Sequence, residues 1–155
     1  TVEQRKKGLR ETKWNGRLTI IHRDPLFIVD GAHNPAAADM LEDSVRKYFK
    51  GRNMYFIMGV FRDKDYSYII RKLCPYAEQI VTIETPDNPR ALPAQELAEA
   101  VRECNPHVQA AENIQDAVNK VFAMADREDV ILSFGSLSFI GEITTIVKNR
   151  EEKNL

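Results

Sequence analysis

Apolar residues follow two rhythms that alternate along this chain. Short, nearly continuous apolar runs occur at RLTIIH (17–22), LFIVD (26–30), MYFIMGV (54–60), QIVTIE (79–84) and VILSF (130–134). Runs of this length, rich in Ile, Val and Phe, predict β-strands, and the continuous ones predict strands covered on both faces. The first two are separated by His22-Arg23-Asp24-Pro25, a turn signal. A weaker strand is expected at His107–Ala110. Between the runs the apolar positions recur at helical spacing. Pro35–Phe49 carries Ala37, Leu41, Val45 and Tyr48 on one stripe, with Asn34 as N-cap and Pro35 opening the helix. Asp65–Leu73 carries Tyr66, Ile69, Ile70 and Leu73. Pro93–Cys104 carries Ala94, Leu97, Ala98 and Val101. Asn113 caps a helix with Ile114, Ala117, Val118, Val121 and Ala125 on one side, and Ser138–Val147 is the last helix. Strands alternating with helices predict an α/β sandwich with a mostly parallel sheet of about six strands. The expected organisation is a lead-in over residues 1–14, which Trp14 packs onto one domain spanning 15–150. A charged, frayed tail follows at 151–155.

Composition narrows the class of partner. With 155 residues, 43% of them apolar and 29% charged, the chain has the make-up of a globular domain with a core. Lys and Arg number 22 against 23 Asp and Glu, a balance that argues against nucleic acid or an anionic membrane as the main partner. No window approaches the roughly 20 apolar residues of a membrane span. The opening TVEQRKKGLRETKWNG is polar and lacks a signal-peptide core. The two cysteines, Cys74 and Cys104, fit buried thiols in a reducing compartment rather than a disulfide or a metal site. These features suggest a cytoplasmic monomer. The absence of an initiator Met and the polar start suggest a domain of a longer protein.

In a parallel α/β sheet, ligands bind beyond the C-terminal ends of the strands. Four such ends carry polar, charged or small residues: Asp30-Gly31-Ala32-His33-Asn34, Val60-Phe61-Arg62-Asp63-Lys64-Asp65, Thr85-Pro86-Asp87-Asn88-Pro89-Arg90 and Gly135-Ser136-Leu137-Ser138. Each has two readings. Asp30, His33 and Asn34 could hold an anion at a helix N-terminus, or simply bind turn amides and cap the helix. Lys64 could be a point charge for a carboxylate or phosphate, or part of a helix-start cluster capped by Asp65. Gly135-Ser136 could be an anion nest with a hydroxyl donor, or a tight turn. Arg17 precedes a strand, where arginines are usually solvated, and Arg90 alone says little. His22 and His107 have no partner in sequence and suit structural or surface roles. No G-x-S-x-G elbow, zinc-spaced Cys/His set, G-x-x-x-x-G-K-[ST] loop or G-x-G-x-x-G motif is present.

Five segments, in order, carry a family resemblance. LFIVDGAHNPAAADML resembles the D-G-A-H-N-P segment of folylpolyglutamate and dihydrofolate synthases, members of the Mur ligase family of ATP-dependent amide ligases. GLRETKWNGRLTII is similar to their G-L-x-x-x-x-W-x-G-R entry to the last domain. MGVFRDKDYSYII resembles the G-x-x-x-D-K-D segment, TPDNPRALPAQEL the T-x-x-x-x-P-R-A segment, and LSFGSLSFIGEI the closing G-S-L-Y-L-x-G-E. The likeness runs from Gly8 to Ile146. Ser138 departs from it, standing where the family more often has an aromatic residue.

The resemblance implies a Rossmann-like three-layer sandwich, the C-terminal domain of a two-domain ligase. Its partner would be its own N-terminal ATPase domain, which in the family carries the P-loop, the magnesium ligands and most of the folate site. The substrates implied are ATP, L-glutamate and folate or dihydropteroate, joined through an acyl phosphate, with Mg2+ as cofactor and no metal ligands in this chain. Residue by residue, Arg17 would contact ATP phosphates, Asp30 the nucleotide at its ribose, and Asn34 the same site. His33 would meet phosphate or the incoming glutamate. Lys64 would hold a glutamate carboxylate, with Arg90 and Ser136 at the amino-acid site. Catalytic weight falls on His33 and Lys64. Two other readings compete. A Mur-type ligase for a cell-wall peptide precursor or other acceptor shares the Asp30–Pro35 string loosely. A receiver-like signalling module with Asp30 as phosphoacceptor needs an acidic pair after the first strand, and IIHRDP supplies only Asp24.

Overall fold

The computed structural model describes residues 17–153; the expected lead-in, Trp14 and the Gly8 end of the entry segment lie outside the described residues. Six strands form one sheet: β1 (Thr19–His22), β2 (Leu26–Val29), β3 (Met54–Met58), β4 (Gln79–Thr82), β5 (Val108–Ala110) and β6 (Val130–Phe134). Their order is β1-β2-β6-β3-β4-β5. β1 pairs antiparallel with β2, and every other pairing is parallel. The polar ends of the apolar runs, Asp30 and Glu84, fall just outside the strands, where side chains are free to meet loops.

The helices are α1 (Pro35–Tyr48), α2 (Tyr66–Leu73), α3 (Ala94–Arg102), α4 (Ile114–Met124) and α5 (Ile140–Lys153). Short side chains start three of them as their sequence predicts. Asn34 accepts from the Ala37 amide, Asp65 from Tyr68 and Asn113 from Asp116, at 2.8, 3.2 and 2.8 Å. Each bond satisfies an amide that has no partner within the helix, a contribution of about 1 kcal/mol.

Alternation along the strands divides the core into two halves. Met54, Phe56 and Met58 of β3, with Val130, Leu132 and Phe134 of β6, face α1, α2 and α3. Ile57, Val81 and Ile131 face α4 and α5, where Ala117, Val118, Val121, Ile143 and Val147 are buried. The result is three layers, helices on both faces of a mostly parallel sheet, and all five residues of β6 are buried.

Two expectations need adjustment. The stripe of α1 is Ala38, Leu41 and Val45, continued by Phe49; Ala37 and Tyr48 lie at its margin, partly covered. Positions three and four apart share the buried face, and residues one step off rotate to its edge. The last helix does not begin at Ser138 or end at Val147. A 3-10 turn spans Leu137–Phe139, and α5 then runs to Lys153. Its inner stripe does end at Val147, but Arg150 lies 4.5 Å over the Phe122 ring and Glu151 is 3.7 Å from His22. Those contacts accompany the added turn, so residues 151–153 are helical rather than frayed.

Cys74 is fully buried and Cys104 only partly so, and burial pushes the Cys74 thiol up. Since the thiolate is the reactive form, a thiol reagent at pH 8 is expected to label Cys104 well before Cys74. Peptide mass mapping over time checks this, and equal labelling rates would show that the core around Cys74 opens readily. Among the described residues no helix is long and apolar enough to cross a membrane.

This topology fixes where a ligand can sit. β2, β3, β4 and β6 are parallel, so their C-terminal ends share one edge. β6 lies between β2 and β3, which places the loop after β6 between the other two. Because β1 runs the opposite way, its first residues return to that same edge: Thr19 pairs with Val29.

Candidate active-site cleft

At that edge the chain is held together by Asp30. The residue is buried, 7% exposed. One carboxylate oxygen accepts from the Ala32 amide at 2.8 Å and the other from the Leu18 amide at 3.1 Å. Asp30 thus closes the turn after β2 and ties the start of β1 to it. Burial pushes its carboxyl above the ordinary value, opposed by those amides and by the charge of Arg17. Arg17 is exposed, and its guanidinium reaches the Met40 sulfur of α1 at 3.3 Å. An arginine before a strand would normally be remote from the C-terminal edge; the antiparallel β1 brings this one to it.

A cleft of about 450 Å³ opens beside this turn, lined by His33, Phe61, Lys64, Asn88, Arg90, Ser136, Leu137 and Ser138. Residues from all four strand-end segments meet there. Of the candidates, His33, Lys64, Arg90 and Ser136 are brought together on its wall. Arg17, Asp30 and Asn34 are not among its lining residues, and Asn34 holds the Ala37 amide as a helix cap. Phe61, Asn88 and Leu137 were not singled out from the sequence, and Ser138 was marked only as a departure from the family motif. The first three sit inside the segments that were singled out, but an apolar or amide side chain in a loop carries no chemical signal of its own.

The cleft residues differ in how free they are. His33 Nδ1 lies 2.8 Å from the Gly31 carbonyl. That carbonyl can only accept, so Nδ1 donates and a neutral ring presents Nε2 as an acceptor. Arg90 is engaged. Its Nη2 donates to Asp63 at 2.7 Å, its Nε to the other Asp63 oxygen at 3.3 Å, and its guanidinium lies 4.8 Å over the Phe61 ring. The hydrogen bonds from Arg90, aided by its charge, in turn hold the Asp63 carboxyl below its ordinary range. Among the described residues the Lys64 ammonium has no ion-pair partner. The cleft therefore offers one uncommitted cation, one nitrogen acceptor and the Ser136–Ser138 hydroxyls. That set can meet a small molecule bearing an anionic group and a hydrogen-bond donor.

The turn that carries the serines depends on glycine. Gly135 has φ of +114°, and a Cβ there would stand 2.1 Å from the Gly59 carbonyl oxygen. The ends of β3 and β6 approach too closely at that point for any side chain. Among the described residues no group of three or more His, Cys, Asp or Glu side chains comes together as a metal site.

Comparison with known proteins places this architecture. The family described as Mur ligase, glutamate ligase domain, matches residues 16–137. A dihydrofolate synthase/folylpolyglutamate synthase of Bacillus subtilis is 27% identical over 146 residues, covering 94% of this chain and 33% of its own length. The protein so named from Mycobacterium tuberculosis is 34% identical over 113 residues, covering 72% of this chain and 23% of its own. Among solved structures, Mycobacterium tuberculosis folylpolyglutamate synthase complexed with ADP and AMPPCP superposes with a TM-score of 0.74 at 27% identity, over 91% of this chain and 33% of that one. Folylpolyglutamate synthase of Thermotoga maritima gives 0.76 at 26% identity, over 100% of this chain and 36% of that one. The chain thus spans about a third or less of the length of these relatives.

Proposed function

The chain belongs to the family of Mur ligase glutamate ligase domains, and from that premise we propose that it is the C-terminal domain of an ATP-dependent ligase adding L-glutamate to folate. Such an enzyme is a folylpolyglutamate synthase, and dihydropteroate would be its second acceptor if it also serves as a dihydrofolate synthase. The observation that carries this reading is the convergence of His33, Lys64 and Ser136 on one cleft at the C-terminal edge of the sheet. The similarity to synthases bearing those two names supports the choice of acceptor.

In this reading the acceptor carboxylate attacks the γ-phosphorus of ATP, the bond to ADP breaks, and an acyl phosphate forms. The glutamate amine then attacks the acyl carbon and phosphate leaves, carrying the electron pair of the broken C–O bond. Lys64 holds a glutamate carboxylate, so that the amine stands near the acyl carbon. His33 Nε2, fixed in its tautomer by Gly31, can take the proton that the glutamate ammonium must lose before the free amine attacks. Arg17 meets phosphate charge as it redistributes. Asp30 serves the nucleotide site chiefly by fixing the backbone beside Arg17, with its unused lone pairs left for a ribose hydroxyl. Asn34 acts through the helix start it caps. Arg90 and Asp63 brace the far wall. Magnesium would neutralise phosphate charge; we place its ligands, with the P-loop, in an N-terminal domain that closes over this edge.

The test is ADP release by the full-length protein. It is expected to require glutamate together with dihydropteroate or tetrahydrofolate. Ligation of a cell-wall peptide precursor, with no response to either pterin acceptor, would overturn the reading in favour of another Mur-type ligase.

A further inference from the structure

Ser136 and Ser138 share a hydrogen bond whose direction decides which of them meets a ligand. Their Oγ atoms are 2.8 Å apart, and Ser136 Oγ also accepts from the Ser138 amide at 3.1 Å. A hydroxyl has one proton to donate and two lone pairs. Between the two side chains, one proton is used in the Oγ–Oγ bond and one is left over, with no other partner among the described residues. Exposure settles where the leftover proton is useful. Ser136 is 3% exposed, whereas Ser138 is exposed on the cleft wall. A ligand oxygen arriving in the cleft reaches Ser138 first. With the buried Ser136 donating outward to Ser138 Oγ, the Ser138 proton is left for the cleft and is strengthened by the bond behind it.

We infer that Ser138 is the hydroxyl that contacts the substrate, donating to a carboxylate oxygen of the incoming amino acid across the cleft from Lys64, and that Ser136 is a positioning residue behind it. This inference rests on the proposed ligase reading for the identity of that carboxylate. It reverses the order in which the two serines rank by motif alone, because Ser136 lies in the recognisable Gly-Ser pair and Ser138 does not.

The experiment is steady-state kinetics of the full-length protein with Ser138→Ala, Ser138→Thr and Ser136→Ala. Ser138→Ala is expected to raise KM for glutamate about tenfold while KM for ATP stays within twofold. Ser138→Thr keeps the hydroxyl and is expected to recover most of that loss. Ser136→Ala removes the donor behind Ser138 but leaves the Ser138 proton in place, and is expected to raise KM for glutamate by less than Ser138→Ala does. A Ser138→Ala enzyme with glutamate KM within twofold of the parent overturns the assignment and leaves the ligase reading standing. So does a larger KM effect from Ser136→Ala than from Ser138→Ala. An unmutated protein with no glutamate-dependent ADP release overturns the ligase reading, and this assignment with it.

Discussion

Gly135→Ala is expected to destabilise the domain by about 4 kcal/mol and to lower its unfolding temperature by roughly 10 °C. Two costs combine. An L-residue at φ of +114° leaves the populated backbone regions, which costs about 1–3 kcal/mol. The new methyl also stands 2.1 Å from the Gly59 carbonyl oxygen and 3.1 Å from a Val60 methyl. Both obstacles belong to the two residues that directly follow β3, in the middle of the sheet, so relief requires the ends of β3 and β6 to part. That displacement removes further packing, on the order of 1–3 kcal/mol for an overfilled core. Gly51 separates the two effects. Its φ is also positive, +81°, but a Cβ there meets nothing within 4 Å. Gly51→Ala is therefore expected to cost only about 1 kcal/mol, the backbone part alone. Calorimetry of the two variants in the full-length protein gives the comparison. Equal shifts would mean that the crowding at Gly135 is relieved at no cost. A Gly135→Ala transition within 2 °C of the parent would remove both parts of the argument.

The same glycine illustrates what was legible before the structure. Its place after an apolar run marked a turn, but nothing in the string showed that Gly59 lies against it. That contact depends on β6 inserting between β2 and β3, a non-local choice that periodicity does not encode. The strands and helices themselves were readable because their apolar positions keep time with the elements, and because Asn34, Asp65 and Asn113 cap where such residues usually cap. The end of α5 was not, since it continues on Arg150 and Glu151, which look like a solvated tail until Phe122 and His22 are seen beside them.

The site divides along similar lines. Four strand-end loops were expected on one edge, and the parallel pairings put them there. Arg17 could not have been assigned to that edge by the strand-end rule, which would have sent it to the opposite one. Only the antiparallel pairing of β1 brings it back. The state of each side chain was also out of reach. Asp63, Lys64 and Arg90 are all charged residues in loops, and only coordinates show Asp63 and Arg90 neutralising one another and leaving Lys64 alone.

That isolation makes Lys64→Ala the substitution with the largest expected effect on activity. The change removes the one uncommitted cation of the cleft, and kcat/KM for glutamate is expected to fall about 10²-fold, or ~2.7 kcal/mol. On the proposed ligase reading, a charge-assisted contact from Lys64 to a glutamate carboxylate would account for most of this, and loss of orientation of the amine for the rest. If Lys64 only binds, KM alone rises; if it also aligns the amine, kcat falls with it. Steady-state kinetics of the full-length enzyme gives both, and a value of kcat/KM within twofold of the parent would remove Lys64 from the site. A second substitution tests whether the neighbouring arginine is held in reserve. Arg90 lines the same cleft but is paired with Asp63 at 2.7 Å. In a Lys64→Ala background, Asp63→Asn leaves the guanidinium without its counter-charge and available to a substrate carboxylate. Recovery of severalfold in kcat/KM is then expected, although Asp63→Asn alone removes a charge pair. If the double variant is no better than Lys64→Ala, Arg90 serves only to brace the wall, and the cleft depends on a single lysine for its positive charge.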